Sequence, residues 1–97
     1  GTGVLSVFDG QVVFAGVYKG YGNLVVVRHS GGATTHYGHL EAILVEVGEE
    51  ILAGAQLGRV GETGLATGPH LHFEFRIEGN AQNPEDYLAG FDIPARG

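Results

Sequence analysis

The 97-residue sequence has no cysteine, which excludes a disulfide framework, thiolate metal ligands and a cysteine nucleophile and is compatible with an extracytoplasmic setting. Basic residues are scarce: Lys19 is the one lysine, and five Lys and Arg together face eleven Asp and Glu, for a formal net charge of −6. No basic stripe is available to follow a nucleic-acid backbone. Attraction to other anionic polymers is missing for the same reason, and the acidic surface reads first as a solubility device. Long apolar runs are absent too. Nothing approaches the roughly 18 to 20 apolar residues that cross a bilayer, and no charged-then-apolar leader is seen. Any export signal is expected to have been removed or to lie upstream of Gly1.

What is present is β-structure punctuated by glycine. Hydrophobic residues make up 43% of the chain, and its 18 glycines are spread over turns rather than gathered in one tract. Strand signals cover residues 4–8 and 11–18, flanking Asp9-Gly10 as a hairpin, then 23–29 with the β-branched run Val25-Val26-Val27, and 34–40 after Ser30-Gly31-Gly32. Shorter strands are expected at 43–47, 51–52, 56–60 and 71–77. Asn83-Pro84 is a good N-cap and first-turn pair for one short helix over 85–88. The pattern predicts an all-β fold, an antiparallel β-sandwich or barrel-sandwich hybrid with one short C-terminal helix, in a single domain over 1–90 followed by a tail over 91–97.

The chemistry concentrates in Thr67-Gly68-Pro69-His70-Leu71-His72-Phe73-Glu74-Phe75. On a strand Leu71, Phe73, Phe75 and Ile77 fall on one face, the core face, and His70, His72, Glu74 and Arg76 on the other. Two imidazoles side by side at strand spacing are suited to a metal, and a catalytic zinc typically has about three protein ligands plus a water. A second run, Thr34-Thr35-His36-Tyr37-Gly38-His39-Leu40, ends in His39. Strict alternation puts Thr35, Tyr37 and His39 on one face and His36 on the other, so that His36 and His39 would not serve one metal. His29, at a strand end, reads as an ordinary surface or strand-end histidine. Asp9, before Gly10, reads as a turn residue rather than a ligand.

Tyr37-Gly38-His39-Leu40, Val47-Gly48-Glu49-Glu50-Ile51-Leu52-Ala53-Gly54, Gly61-Glu62-Thr63-Gly64 and the His70-Leu71-His72 segment, in that order and spacing, resemble the lysostaphin-like peptidoglycan zinc metalloendopeptidases. The resemblance runs from about Gly3 to Leu88. It implies a zinc cleft on an open sheet face, with His72 as a zinc ligand and His70 and His39 as catalytic residues acting on the attacking water and the oxyanion. The family's other two ligands, from a His-x-x-x-Asp motif, are expected upstream of Gly1, so Zn(2+) binding depends on their being supplied. The implied reaction is hydrolysis of an amide in peptidoglycan peptides, in which zinc lowers the pKa of its water to about 7 and polarises the carbonyl.

Glu74 is expected to pair with Arg76 or to hold His72 in orientation. Tyr37 is expected to pack against or orient His39, and Asn23, Tyr37 and Thr67 are candidates for the cleft lining. The resemblance implies an extracytoplasmic location: periplasm, cell wall or phage virion. Relatives lacking ligands can instead regulate cell-wall hydrolases or act as structural modules with protein partners, for instance in phage-tail or division assemblies. A biotinyl or lipoyl carrier would share the apolar-glycine rhythm of 45–54. Such a carrier needs a lysine on a hairpin tip, and Lys19 stands in the wrong context.

Overall fold

A computed structural model of the chain describes residues 2–61 and 71–82. Among them are eight strands: β1 (Gly3–Leu5), β2 (Gly10–Val17), β3 (Asn23–Arg28), β4 (Ala33–Ile43), β5 (Glu50–Ile51), β6 (Gln56–Val60), β7 (His72–Ile77) and β8 (Asn80–Gln82). Short 3-10 turns, Lys19–Tyr21 and Ser30–Gly32, link β2 to β3 and β3 to β4. The pairings are antiparallel in the order β1-β6-β4-β3-β2-β5, with β7 on β4 and β8 on β7. The fold is all-β. The expected helix over 85–88 and the tail over 91–97 lie outside the described residues.

β4 is the axis of the sheet. One of its edges pairs with β3, whereas the other is shared: Ala33 to Gly38 pair with β7, and Leu40 to Ile43 pair with β6. The core lies on one face, where Val25, Tyr37 and Phe73 form one cross-strand row and Val27, Thr35 and Phe75 the next. Full burial of an aliphatic or phenyl side chain stabilises the fold by about 1.5–3 kcal/mol. β3 is covered on both faces, since Leu24 and Val26 are buried as well as Val25 and Val27. That explains an unbroken apolar run where a one-sided strand would alternate.

The Asp9-Gly10 hairpin is not formed. β1 pairs with β6, while β2 pairs with β3 and β5. Beyond β1 the chain stays beside the segment before β6, with Ser6 N donating to Ala55 O at 2.9 Å and Gly54 N to Ser6 O at 2.8 Å. The Ser6 hydroxyl then donates to Phe8 O at 2.8 Å, and the backbone turns a corner instead of folding back. Gly10 is required there by close approach, because a Cβ would stand 2.3 Å from the Arg28 carbonyl oxygen. The strand expected over 43–47 is also redistributed. β4 runs on through Ile43, and the chain closes a turn with Glu49 N donating to Glu46 O at 3.1 Å.

Candidate functional site

The site is created by an irregularity in β4. Val25 lies opposite Tyr37 and Asn23 opposite Leu40, so β4 carries one residue more than β3 over this interval. His39 absorbs it with a left-handed backbone, φ 60°, a region that histidine enters more readily than most residues. A bulge of this kind redirects the side chains that follow it. Tyr37 and Thr35 therefore point into the core, 1% and 0% exposed, whereas the His39 ring leaves that face and lies 5.7 Å from the His72 ring, centroid to centroid. The expected sharing of one face by Thr35, Tyr37 and His39 is thus corrected. Asn23 sits at the same irregularity and braces it, its Nδ2 donating to Leu40 O at 2.9 Å.

β7 then supplies the alternation that its sequence predicts. Phe73 and Phe75 are buried, and His72, Glu74 and Arg76 stand on the open face in register with Gly38, His36 and Thr34. His72 Nε2 lies 2.6 Å from Glu74 Oε2. A carboxylate only accepts, so Nε2 carries the proton and the lone pair of the neutral ring is on Nδ1. Arg76 donates to Glu74 Oε1 through Nε at 2.9 Å and Nη2 at 2.5 Å. The Tyr21 hydroxyl donates to Glu74 Oε2 at 2.8 Å and accepts from Arg76 Nη2 at 3.1 Å.

These partners decide the ionisation of Glu74. Burial raises its pKa, but the hydrogen bonds from His72, Tyr21 and Arg76, with the Arg76 charge, outweigh burial and bring it down to about 2. Glu74 is therefore a fixed acceptor that orients His72, not a base that exchanges protons near neutrality. Burial, together with the Glu74 contact, pushes the Tyr21 hydroxyl up, so it remains a donor. His36 faces the same cluster. Burial first, and then the Arg76 charge, lower its pKa from 6.5 to about 4.

Tyr21 is a further site residue, in the 3-10 turn between β2 and β3, which strand periodicity does not single out. Its ring packs edge-on against His72 at 5.4 Å and lies over Gly38, where an added Cβ would come within 3.1 Å of Tyr21 Cδ1 and 3.5 Å of His72 Cβ. The available signal was the Gly20-Tyr21-Gly22 context, since an aromatic ring at a turn between glycines needs a surface to pack on.

The structure thus brings His39, His72, Glu74, Arg76, Tyr21 and His36 together on one face, with Asn23 bracing the bulge below His39. Tyr37 is not in the cleft: it is buried beside Phe73 at 5.4 Å, and its hydroxyl accepts from Val7 N at 3.4 Å. His70 and Thr67 lie outside the described residues. His29 is buried instead of superficial, with Nδ1 donating to Asp9 O at 2.7 Å and Nε2 2.8 Å from Thr35 Oγ1. Asp9 is a structural residue, its Oδ1 accepting from Ala53 N at 2.7 Å. Among the described residues no group of three or more His, Cys, Asp or Glu converges as a metal site. His72 and His39 are therefore not, with the other described residues, a complete zinc site.

Comparison with known proteins places this geometry in a family. The model described as Peptidase family M23 matches residues 1–84. Over 84 residues the chain is 46% identical to the DD-carboxypeptidase/endopeptidase Mpg of Neisseria meningitidis, covering 87% of this chain and 19% of that protein. It is 41% identical over 88 residues to the murein hydrolase activator EnvC of Escherichia coli, covering 91% of this chain and 21% of that protein. The chain thus spans about a fifth of the length of these curated relatives. Among solved structures, the catalytic domain of the antimicrobial peptidase lysostaphin from Staphylococcus simulans superposes with a TM-score of 0.84 at 35% identity, over 91% of this chain and 71% of that one. A zinc-containing peptidase from Vibrio cholerae superposes with a TM-score of 0.80 at 32% identity, over 97% of this chain and 28% of that one.

Proposed function

The chain belongs to peptidase family M23, and from that membership we propose that it is the larger part of a zinc metalloendopeptidase domain that hydrolyses amide bonds in the peptides of peptidoglycan, outside the cytoplasm. The observation that carries the reading is the His39–His72 pair, 5.7 Å apart on the open face, with Glu74 holding His72 by Nε2. That hold fixes the tautomer and turns Nδ1 of His72 into the donor atom for a metal. His39, buried at the bulge and beside His72, is placed to take a proton from an attacking water as a neutral imidazole and to stabilise a developing oxyanion once protonated. His70 is assigned the same kind of role from the family pattern alone.

In this reading His72 is one ligand of a set whose remaining members are the His and Asp of a His-x-x-x-Asp motif that the family pattern puts upstream of Gly1. The decisive experiment compares this chain with a polypeptide extended upstream, each with and without His72→Ala, for zinc content by elemental analysis and for release of peptides from purified peptidoglycan. The expected result is about one zinc per extended chain, lost with His72→Ala, with hydrolysis following the metal. Other residues at the two upstream positions, or an extended chain that binds zinc and cleaves nothing, would sink the reading.

The similarity to EnvC, named a murein hydrolase activator, favours a second reading in which the domain recruits or stimulates a cell-wall hydrolase through a protein partner. An extended chain without zinc that accelerates a partner hydrolase would establish it.

A further inference from the structure

Beside the histidine pair, the open face carries a groove of about 410 Å³. Its floor is Leu24 and Val26, its wall is Phe14, Tyr18 and Tyr21, and its polar end is His36 and Arg76. We propose that this groove is a saccharide subsite, taking one N-acetylhexosamine ring of a glycan strand while the attached peptide reaches the histidines. The proposal rests on the reading that the domain works on peptidoglycan.

The groove is continuous with the site. Phe14 and Tyr18 are 5.7 Å apart by ring centroids, Tyr18 and Tyr21 6.3 Å, Tyr21 and His72 5.4 Å, and His72 and His39 5.7 Å. Tyr21 is the shared wall between the groove and the histidine pair. A site of this volume falls within the range of small-ligand pockets, roughly 300–1,000 Å³.

Electrostatics selects the kind of occupant. The Arg76 guanidinium is matched by the Glu74 carboxylate, and His36 is neutral at pH 7 because burial and Arg76 oppose its protonation. The groove therefore offers no net charge to a ligand. A stem-peptide carboxylate would have to compete with Glu74 for the Arg76 guanidinium, and an ammonium would meet no carboxylate among the described lining residues, so each would lose hydration for little return. An uncharged ligand with one apolar face and a polar edge has the matching chemistry, and an N-acetylated pyranose is such a ligand. Its C–H face can lie on aromatic rings, which give flat, rigid contact area with few rotors to immobilise. Its hydroxyl and acetamido groups can meet the N–H donors of Arg76 and the Tyr18 hydroxyl at the rim. Tyr18, 43% exposed, is a large aromatic residue left at the mouth of the groove.

The test is a titration of the isotope-labelled 97-residue chain, followed by two-dimensional NMR, with N,N′,N″-triacetylchitotriose as a peptide-free saccharide and with an L-Ala-D-isoGlu-L-Lys-D-Ala stem peptide as the competing chemistry. The expected result is saturable shifts at Phe14, Tyr18, Leu24 and Val26 with the saccharide, weakened about fivefold or more by Tyr18→Ala. The spectrum of each variant also reports whether it is folded, and Phe14→Leu serves as a second variant. No saturable shift with the saccharide, shifts with the stem peptide alone, or saccharide binding indifferent to both variants would overturn the proposal. Saccharide binding needs no metal and no hydrolysis, so the two readings can fail separately. Binding without cleavage by the extended chain counts against the endopeptidase alone, and cleavage without binding counts against the subsite alone.

Discussion

At the residue scale, the two sides of β4 separate packing from chemistry within three positions. Tyr37 and His39 are neighbours but one, yet the first is in the core and the second beside His72. In an active, upstream-extended polypeptide, His39→Ala is expected to lower kcat/KM about 100-fold or more, in the range lost with a general acid or base. Tyr37→Phe should leave kcat/KM within about twofold and cost roughly 1 kcal/mol of stability, the net worth of one hydrogen bond. Peptide-release kinetics alongside urea unfolding checks both. Comparable losses of activity would return Tyr37 to the cleft.

His36 makes a prediction about pH. Its pKa falls from 6.5 to about 4 on folding, so the folded state binds the proton more weakly than the unfolded one. Its contribution is complete above about pH 6.5 and is lost progressively as pH falls from there to about 4. Partial exposure reduces the magnitude to on the order of 1–2 kcal/mol. Glu74 belongs to a lower window, because a carboxyl shifted from 4.5 to about 2 gives up its contribution only below that interval's upper edge. Urea midpoints at pH 7 and pH 4.5 should therefore differ less in His36→Gln than in the parent. Equal differences would remove His36 from the account.

At the element scale, what matters is how β4 divides its edge between β7 and β6 around a bulge at His39. Asn23 holds that bulge through Leu40 O. Asn23→Ala is expected to cost about 1 kcal/mol, and in the extended polypeptide to lower kcat about tenfold or more, because misplacing a reacting group by a fraction of a strand step is costly. A loss of stability with unchanged kcat would show that the bulge keeps its geometry without the brace.

The same element marks how far the sequence was legible. Two-residue periodicity in β7 correctly put Phe73 and Phe75 inward and His72, Glu74 and Arg76 outward, because an unbroken ladder keeps the pleat in phase. It failed at His39, where one extra residue resets the phase and only the pairing of three strands reveals it. It failed also at Asp9-Gly10, whose flanking strands do not pair with each other: β1 joins β6, and β2 joins β3 and β5. The aromatic wall was invisible for a related reason: Phe14 follows a second irregularity, between Val12 and Phe14, which moves it onto the face that carries Val26 and His36.

At the scale of the whole molecule, the net charge of −6 bears on access to substrate. The charge is carried by 11 acidic and 5 basic residues, while Arg76, one of the latter, is occupied with Glu74. An intact wall rich in anionic polymers would repel such a domain over a distance set by salt, about 30 Å at 0.01 M and about 8 Å at 0.15 M ionic strength. A short, soluble peptide cross-link presents no such field. Hydrolysis of intact walls by the extended polypeptide should therefore rise severalfold between these two ionic strengths, while hydrolysis of the soluble peptide changes little. The pairing separates repulsion from any direct effect of salt on the site, since the site is common to both substrates. A wall rate that falls with salt would mean that a positively charged region outside these 97 residues guides the domain to its substrate. The acidic surface would then be a feature of the domain's solubility alone.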